Sequence, residues 1–182
     1  MEASRRDFIS LGIGLLGAAG GVAALYPLVR AMLEPSKIAA LGAVVEVDIS
    51  NLQPMQVRVT SWKGKTTFVI RLPEDFKADD YKLKEGALNS KGTTNYEILK
   101  GHPVFALVGI CTHLGCIPLW KPQGEEASGG KPTFHCPCHG GYYTPYGDVI
   151  AGPPPRPLFI PPQKLEGNKL IIGEKGFVQE LI

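Results

Sequence analysis

The chain has 182 residues, enough for one domain and an appendage. Its 19 Lys+Arg stand against 17 Asp+Glu, a formal net charge of +2, which leaves no basic footprint and so no support for a nucleic-acid partner. Charged residues at 20% and hydrophobic residues at 44% exclude a disordered chain, and 22 Gly with 16 Pro favour a loop-rich β protein.

From Phe8 to Val29 no residue is charged. As a helix rising about 1.5 Å per residue, this run spans a hydrocarbon core of about 30 Å. It is longer than a signal-peptide core and no A-x-A site closes it, so residues 1–33 read as an uncleaved membrane anchor in contact with lipid. Ahead of it, Ser4-Arg5-Arg6-Asp7-Phe8-Ile9 resembles the twin-arginine export signal, with Ile9 in place of the usual Leu. That signal moves folded proteins across the bacterial plasma membrane. It implies a single-pass anchor with the soluble head on the extracytoplasmic side.

Residues 34–43 contain Pro35, Ser36 and Gly42 with little periodicity, and read as a hinge linker. Residues 44–182 form the soluble body. Val44–Ile49, Gln56–Thr60 and Thr66–Leu72 carry strand patterns, with Trp62-Lys63-Gly64-Lys65 as the turn between the last two. Pro73–Lys91 is a mixed-charge run, read as a solvated face with no assigned role. Pro103–Ile110 is an apolar strand leading into Cys111. Gly167-Asn168, between Lys164–Glu166 and Lys169–Ile172, is a hairpin signal. These features predict an all-β body of small antiparallel sheets behind one transmembrane helix.

All four Cys lie in two segments, Cys111-Thr112-His113-Leu114-Gly115-Cys116 and Cys136-Pro137-Cys138-His139-Gly140. A chain of this length does not need disulfides to fold, so the grouping points to a site. Four readings stand on spacing alone. They are a Cys₂His₂ zinc site, two disulfides in an exported domain, a His-activated thiolate, and an iron–sulfur centre held by two Cys and two His with one disulfide as a clamp. The last uses every member of both segments.

The two segments resemble the paired boxes of Rieske iron–sulfur proteins. The resemblance implies the Rieske fold, with a cluster-binding subdomain over about 103–158, and one [2Fe–2S] cluster per chain. It implies Cys111 and Cys136 on one iron, His113 and His139 on the other, and a disulfide between Cys116 and Cys138. His135 matches no ligand position. Leu114 is implied to shield the cluster, and Tyr143 to donate its hydroxyl to a ligand sulfur. Where the family often has Ser, this chain has Gly141. Losing that donor to sulfur implies a lower potential and a low-potential quinol such as menaquinol.

The extra Cys pair, the anchor and the run Gly152-Pro153-Pro154-Pro155 resemble the subunit of cytochrome bc and b-f complexes. That implies an oxidoreductase subunit of a dimeric complex. It would take an electron and a proton from quinol through His113 or His139, beside cytochrome b, and pass the electron to a c-type cytochrome. An arsenite-oxidase-like small subunit, beside a molybdenum partner, is the second resemblance. A structural zinc or disulfide domain is the reading of a different class.

Overall fold

The structure is a computed structural model that describes residues 4–33 and 44–179, and these fall in two compact units. The hinge expected at 34–43 lies outside the described residues.

The first unit is one helix, α1 (Arg5–Leu33), with Pro27 inside it. Its length and composition suffice to cross a membrane. Ser4 and Asp7 start it reciprocally. The Asp7 amide donates to Ser4 Oγ at 3.3 Å, and the Ser4 amide donates to Asp7 Oδ2 at 3.1 Å. The arginine pair therefore opens the first helical turn.

The second unit holds three antiparallel sheets. The outer one has the order β1 (Val45–Asp48), β10 (Lys169–Ile172), β9 (Gln163–Glu166). The middle one is β2 (Val57–Trp62), β3 (Lys65–Arg71), β4 (Val104–Val108). The third is β5 (Leu119–Lys121), β6 (Thr133–Cys136), β7 (Gly141–Tyr143), β8 (Val149–Ala151). At the expected 62–65 turn, Lys63 and Gly64 both have positive φ, 50° and 71°, the conformation of a two-residue hairpin that follows strand twist.

The middle sheet is covered on both faces. Val69, Val104 and Ala106 pack towards Val47, Leu170 and Ile172 of the outer sheet. Phe68, Ile70, Phe105 and Leu107 pack towards Phe134 and Tyr143 of the third and Tyr146 in its β7–β8 connection. This explains why all of β4 is buried and why its sequence is apolar without alternation. At β4 the buried side chain of Gln163 stands in for a strand. Its Oε1 accepts from the Ala106 amide at 2.6 Å, and its Nε2 donates to the Ala106 carbonyl at 3.1 Å.

Two stretches depart from the expectations. A short helix, α2 (Asn95–Leu99), is capped by a Thr94–Glu97 box. The carboxylate of Asp148 also accepts the Asn95 and Tyr96 amides at 2.6 and 2.9 Å. Burial pushes the Asp148 carboxyl up to about 6, against the pull of those two amides. Residues 73–91 hold no helix or strand, yet they are not the solvated face that their charges suggested. Ala78, Tyr81, Ala87 and Asn89 are buried, because the segment lies against the third sheet and its connections.

Candidate metal centre

Two loops of the second unit carry the Cys–His segments. The first follows β4. At Gly109 a side chain would place its Cβ 2.6 Å from the Phe68 ring, so glycine is required where the chain passes over that ring. Beyond it the loop closes on itself. The Cys111 amide donates to the Cys116 carbonyl at 2.7 Å, and the Gly115 amide to the Cys111 carbonyl at 3.0 Å. The second loop is the tight connection from β6 to β7, registered by Cys136 opposite Gly141. Beneath both lies an aromatic floor. Phe134 stacks on Phe68 with centroids 5.1 Å apart, and Trp120 leans on Phe134 at 4.7 Å.

The loops are tied by a disulfide between Cys116 and Cys138, with Cα atoms 6.7 Å apart. The Cys136 sulfur lies within 4.8 Å of both bridged sulfurs. Cys111 and Cys136 are unbridged and buried, 3% and 2% exposed. Their thiols face one another. Burial first, then the Cys111 sulfur, pushes the Cys136 thiol up, while the amides of Cys138 and His139 pull it down. The His113 and His139 rings meet edge to face at 4.7 Å. His113 Nδ1 is buried without a hydrogen-bond partner among the described residues, whereas His139 is exposed.

A buried imidazole nitrogen with no partner is costly unless a ligand takes it. Two inward thiols and that nitrogen form a soft N/S donor set suited to an iron–sulfur group. The bridged sulfurs of Cys116 and Cys138 are spent on each other, so the donors that remain are Cys111, Cys136, His113 and His139.

Around this set the expected Tyr143 is fully buried. Its hydroxyl donates to Cys111 Sγ at 3.1 Å and accepts from the Thr112 amide at 3.1 Å. Burial, then the Cys111 sulfur, pushes this phenol well up, so it stays a donor. Gly141 lies under the proline loop. A Cβ there would stand 2.7 Å from Pro154 Cγ and 3.5 Å from Cys136 Cβ. Gly152 has φ +90°, and a Cβ there would meet the Gly140 carbonyl oxygen at 2.1 Å. Pro154 is buried, while Pro153 and Pro155 are exposed. Leu114, expected to shield the site, is 71% exposed on the head alone. His135 is drawn away from the donor set; its Nδ1 lies 2.8 Å from Glu125 Oε2, and its ring stacks on Tyr142.

Sequence reasoning passed over two contributors. Thr112 ties the first loop to the proline loop through a 2.6 Å bond from its hydroxyl to the Arg156 carbonyl. Its place between Cys111 and His113 was a signal that could have singled it out. Lys84 reaches the carbonyls of Gly152 and Pro154, and nothing in its own neighbourhood of the sequence announces that.

Comparison with known proteins agrees with this geometry. Residues 48–162 match the model of the Rieske [2Fe-2S] domain. The ubiquinol-cytochrome c reductase iron-sulfur subunit of Rickettsia felis is 35% identical over 171 residues, 93% of each chain. The subunit of the same name from Bradyrhizobium diazoefficiens is 33% identical over 172 residues, covering 93% of this chain and 94% of its own. Among solved structures, a chain described as hyperthermophilic respiratory Complex III is 68% identical. It covers 89% of this chain and 98% of its own, with a TM-score of 0.55.

Proposed function

The chain belongs to the Rieske [2Fe–2S] family, and from that premise we propose that it serves as the electron-transfer subunit of a bc1-type quinol oxidoreductase, a membrane complex. In that complex it takes an electron and a proton from quinol beside cytochrome b and delivers the electron to a c-type haem. The observation that carries the reading is the donor set: two buried, unbridged thiols together with two histidines whose rings lie 4.7 Å apart.

Cys111 and Cys136 would hold one iron of the cluster, and His113 and His139 the other. When bound, the [2Fe–2S] group supplies a one-electron acceptor whose potential the imidazole ligands raise relative to four thiolates. The protein supplies the rest. Exposed His139 brings its ring to the surface, where a quinol hydroxyl can reach an imidazole nitrogen. Tyr143 and the amides of Cys138 and His139 offer hydrogen bonds to the ligand sulfurs. Leu114, outward on the free head, shields the site once the loops dock against cytochrome b. The arginine pair supports an export signal and an extracytoplasmic head. In this reading the complex is a dimer.

The test is an EPR-monitored redox titration of the purified full chain at several pH values. A Rieske signal whose midpoint falls as pH rises is expected. An iron-replete chain without that signal overturns the reading.

Gly141 supports a low-potential centre and menaquinol as the quinol. Gly141→Ser adds a hydroxyl that can reach a sulfur, but its Cβ displaces Pro154. Gly141→Ala makes the same displacement without the hydroxyl. The serine variant is expected to have the higher midpoint of the two; equal midpoints in a redox titration would remove this argument for menaquinol.

A further inference from the structure

Lys84 belongs to a segment without helix or strand, yet it makes three long-range bonds. Its amide donates to the Val149 carbonyl at 2.9 Å, which fixes its backbone against β8. Its ammonium donates to the Gly152 carbonyl at 2.8 Å and to the Pro154 carbonyl at 3.1 Å. An ammonium has three donors, so two of them are committed to one loop. Those two residues also pack tightly on the β6–β7 turn. Gly152 lies against the Gly140 carbonyl, and Pro154 lies against Gly141 beside Cys136. One cation thus holds two residues of the proline loop that pack on the turn carrying Cys136, Cys138 and His139.

We propose that Lys84 is a positioning residue for the electron-transfer site. It clamps the proline loop onto the β6–β7 turn and keeps a fixed positive charge beside it. The role rests on the Rieske reading above. Reduction adds negative charge to the group that the turn holds, so a fixed cation there favours the reduced form. Charge-assisted bonds to two carbonyls also keep the loop seated, which a neutral side chain of the same length cannot do.

The test compares Lys84→Met, Lys84→Gln and Lys84→Arg in the full chain purified with its cluster. Methionine keeps the stem and removes charge and donors, glutamine keeps a donor without charge, and arginine keeps both. In the methionine variant, amide exchange in the peptide 149–158 is expected to rise about tenfold, the scale of one charge-assisted bond. Its midpoint potential is expected to shift downward, and that of the glutamine variant with it. Arginine is expected to restore both readouts.

A merely structural lysine would lower the melting temperature of the methionine variant and leave the midpoint alone; that result overturns the proposal. So does wild-type exchange in the methionine variant, or an arginine variant as perturbed as methionine. Should the wild-type chain give no Rieske signal while exchange still responds to Lys84, the reading of the cluster fails and the clamp on the loop stands. Should the signal be normal and both readouts stay flat, the clamp alone fails.

Discussion

Gly152→Ala is expected to remove most of the bound iron and the Rieske EPR signal while leaving most of the β-sheet signal in circular dichroism. Two costs coincide at this position. Its φ of +90° is one that a residue with a Cβ rarely adopts. Its Cβ would also stand 2.1 Å from the Gly140 carbonyl oxygen and 2.9 Å from Gly141 Cα, both rigid backbone. Strained φ costs on the order of 1–3 kcal/mol, and overpacking against atoms that cannot retreat costs about as much again. The total is a large share of a domain stability of roughly 5–15 kcal/mol.

The strain is relieved by lifting the proline loop off the turn, because the outer and middle sheets do not take part in that contact. The damage should therefore fall on cluster retention before it falls on the fold. Iron content per chain, read beside circular dichroism, checks this. A variant with a full complement of iron would show that the loop does not seat the turn.

Tyr143→Phe is expected to keep the iron and lower the midpoint. The phenyl ring still fills a fully buried site between Phe134 and the first loop. What disappears is the 3.1 Å hydrogen bond to Cys111 Sγ, together with the acceptor for the Thr112 amide. A donor to a ligand sulfur stabilises the more negative, reduced form more than the oxidised one. If that preference is worth about tenfold in the redox equilibrium, the midpoint falls by about 59 mV for one electron. A redox titration at fixed pH measures it, and an unchanged midpoint would remove Tyr143 from the tuning of this site.

The residues that were legible in the sequence are those whose chemistry is rare. Four cysteines in two segments beside His113 and His139 announce a site on their own, while its kind, and the place of Tyr143 in it, came from the resemblance of the two segments to the Rieske boxes. Strands with alternation, such as β1 and β2, and turns with Gly, such as Lys63-Gly64, were legible for the same local reasons. The third sheet was not. Its strands β5, β7 and β8 have only three residues each, too few to show a period of two. Its existence depends on the floor of Phe68, Phe134 and Trp120, residues far apart in the chain.

Lys84 failed for a related reason. A lysine in a mixed-charge run looks solvated, and its partners are carbonyls 68 and 70 residues away, which carry no side-chain signature. The same holds for Gly141 and Pro154. Their closeness is visible only when a Cβ is imagined between them.

The sulfur arrangement sets a timetable for making the protein. With Cys136 within 4.8 Å of both Cys116 and Cys138, a chain whose four thiols are all free can join the wrong pair, and four cysteines allow three complete pairings. Under the proposed ligation, iron engages Cys111 and Cys136 and leaves only Cys116 and Cys138 to be oxidised. Metal loading in a reducing compartment followed by exposure to an oxidising one then yields a single bridge, while the reverse schedule leaves a free thiol next to a disulfide with which it can exchange. A preparation that oxidises the chain before supplying iron should accumulate scrambled isomers.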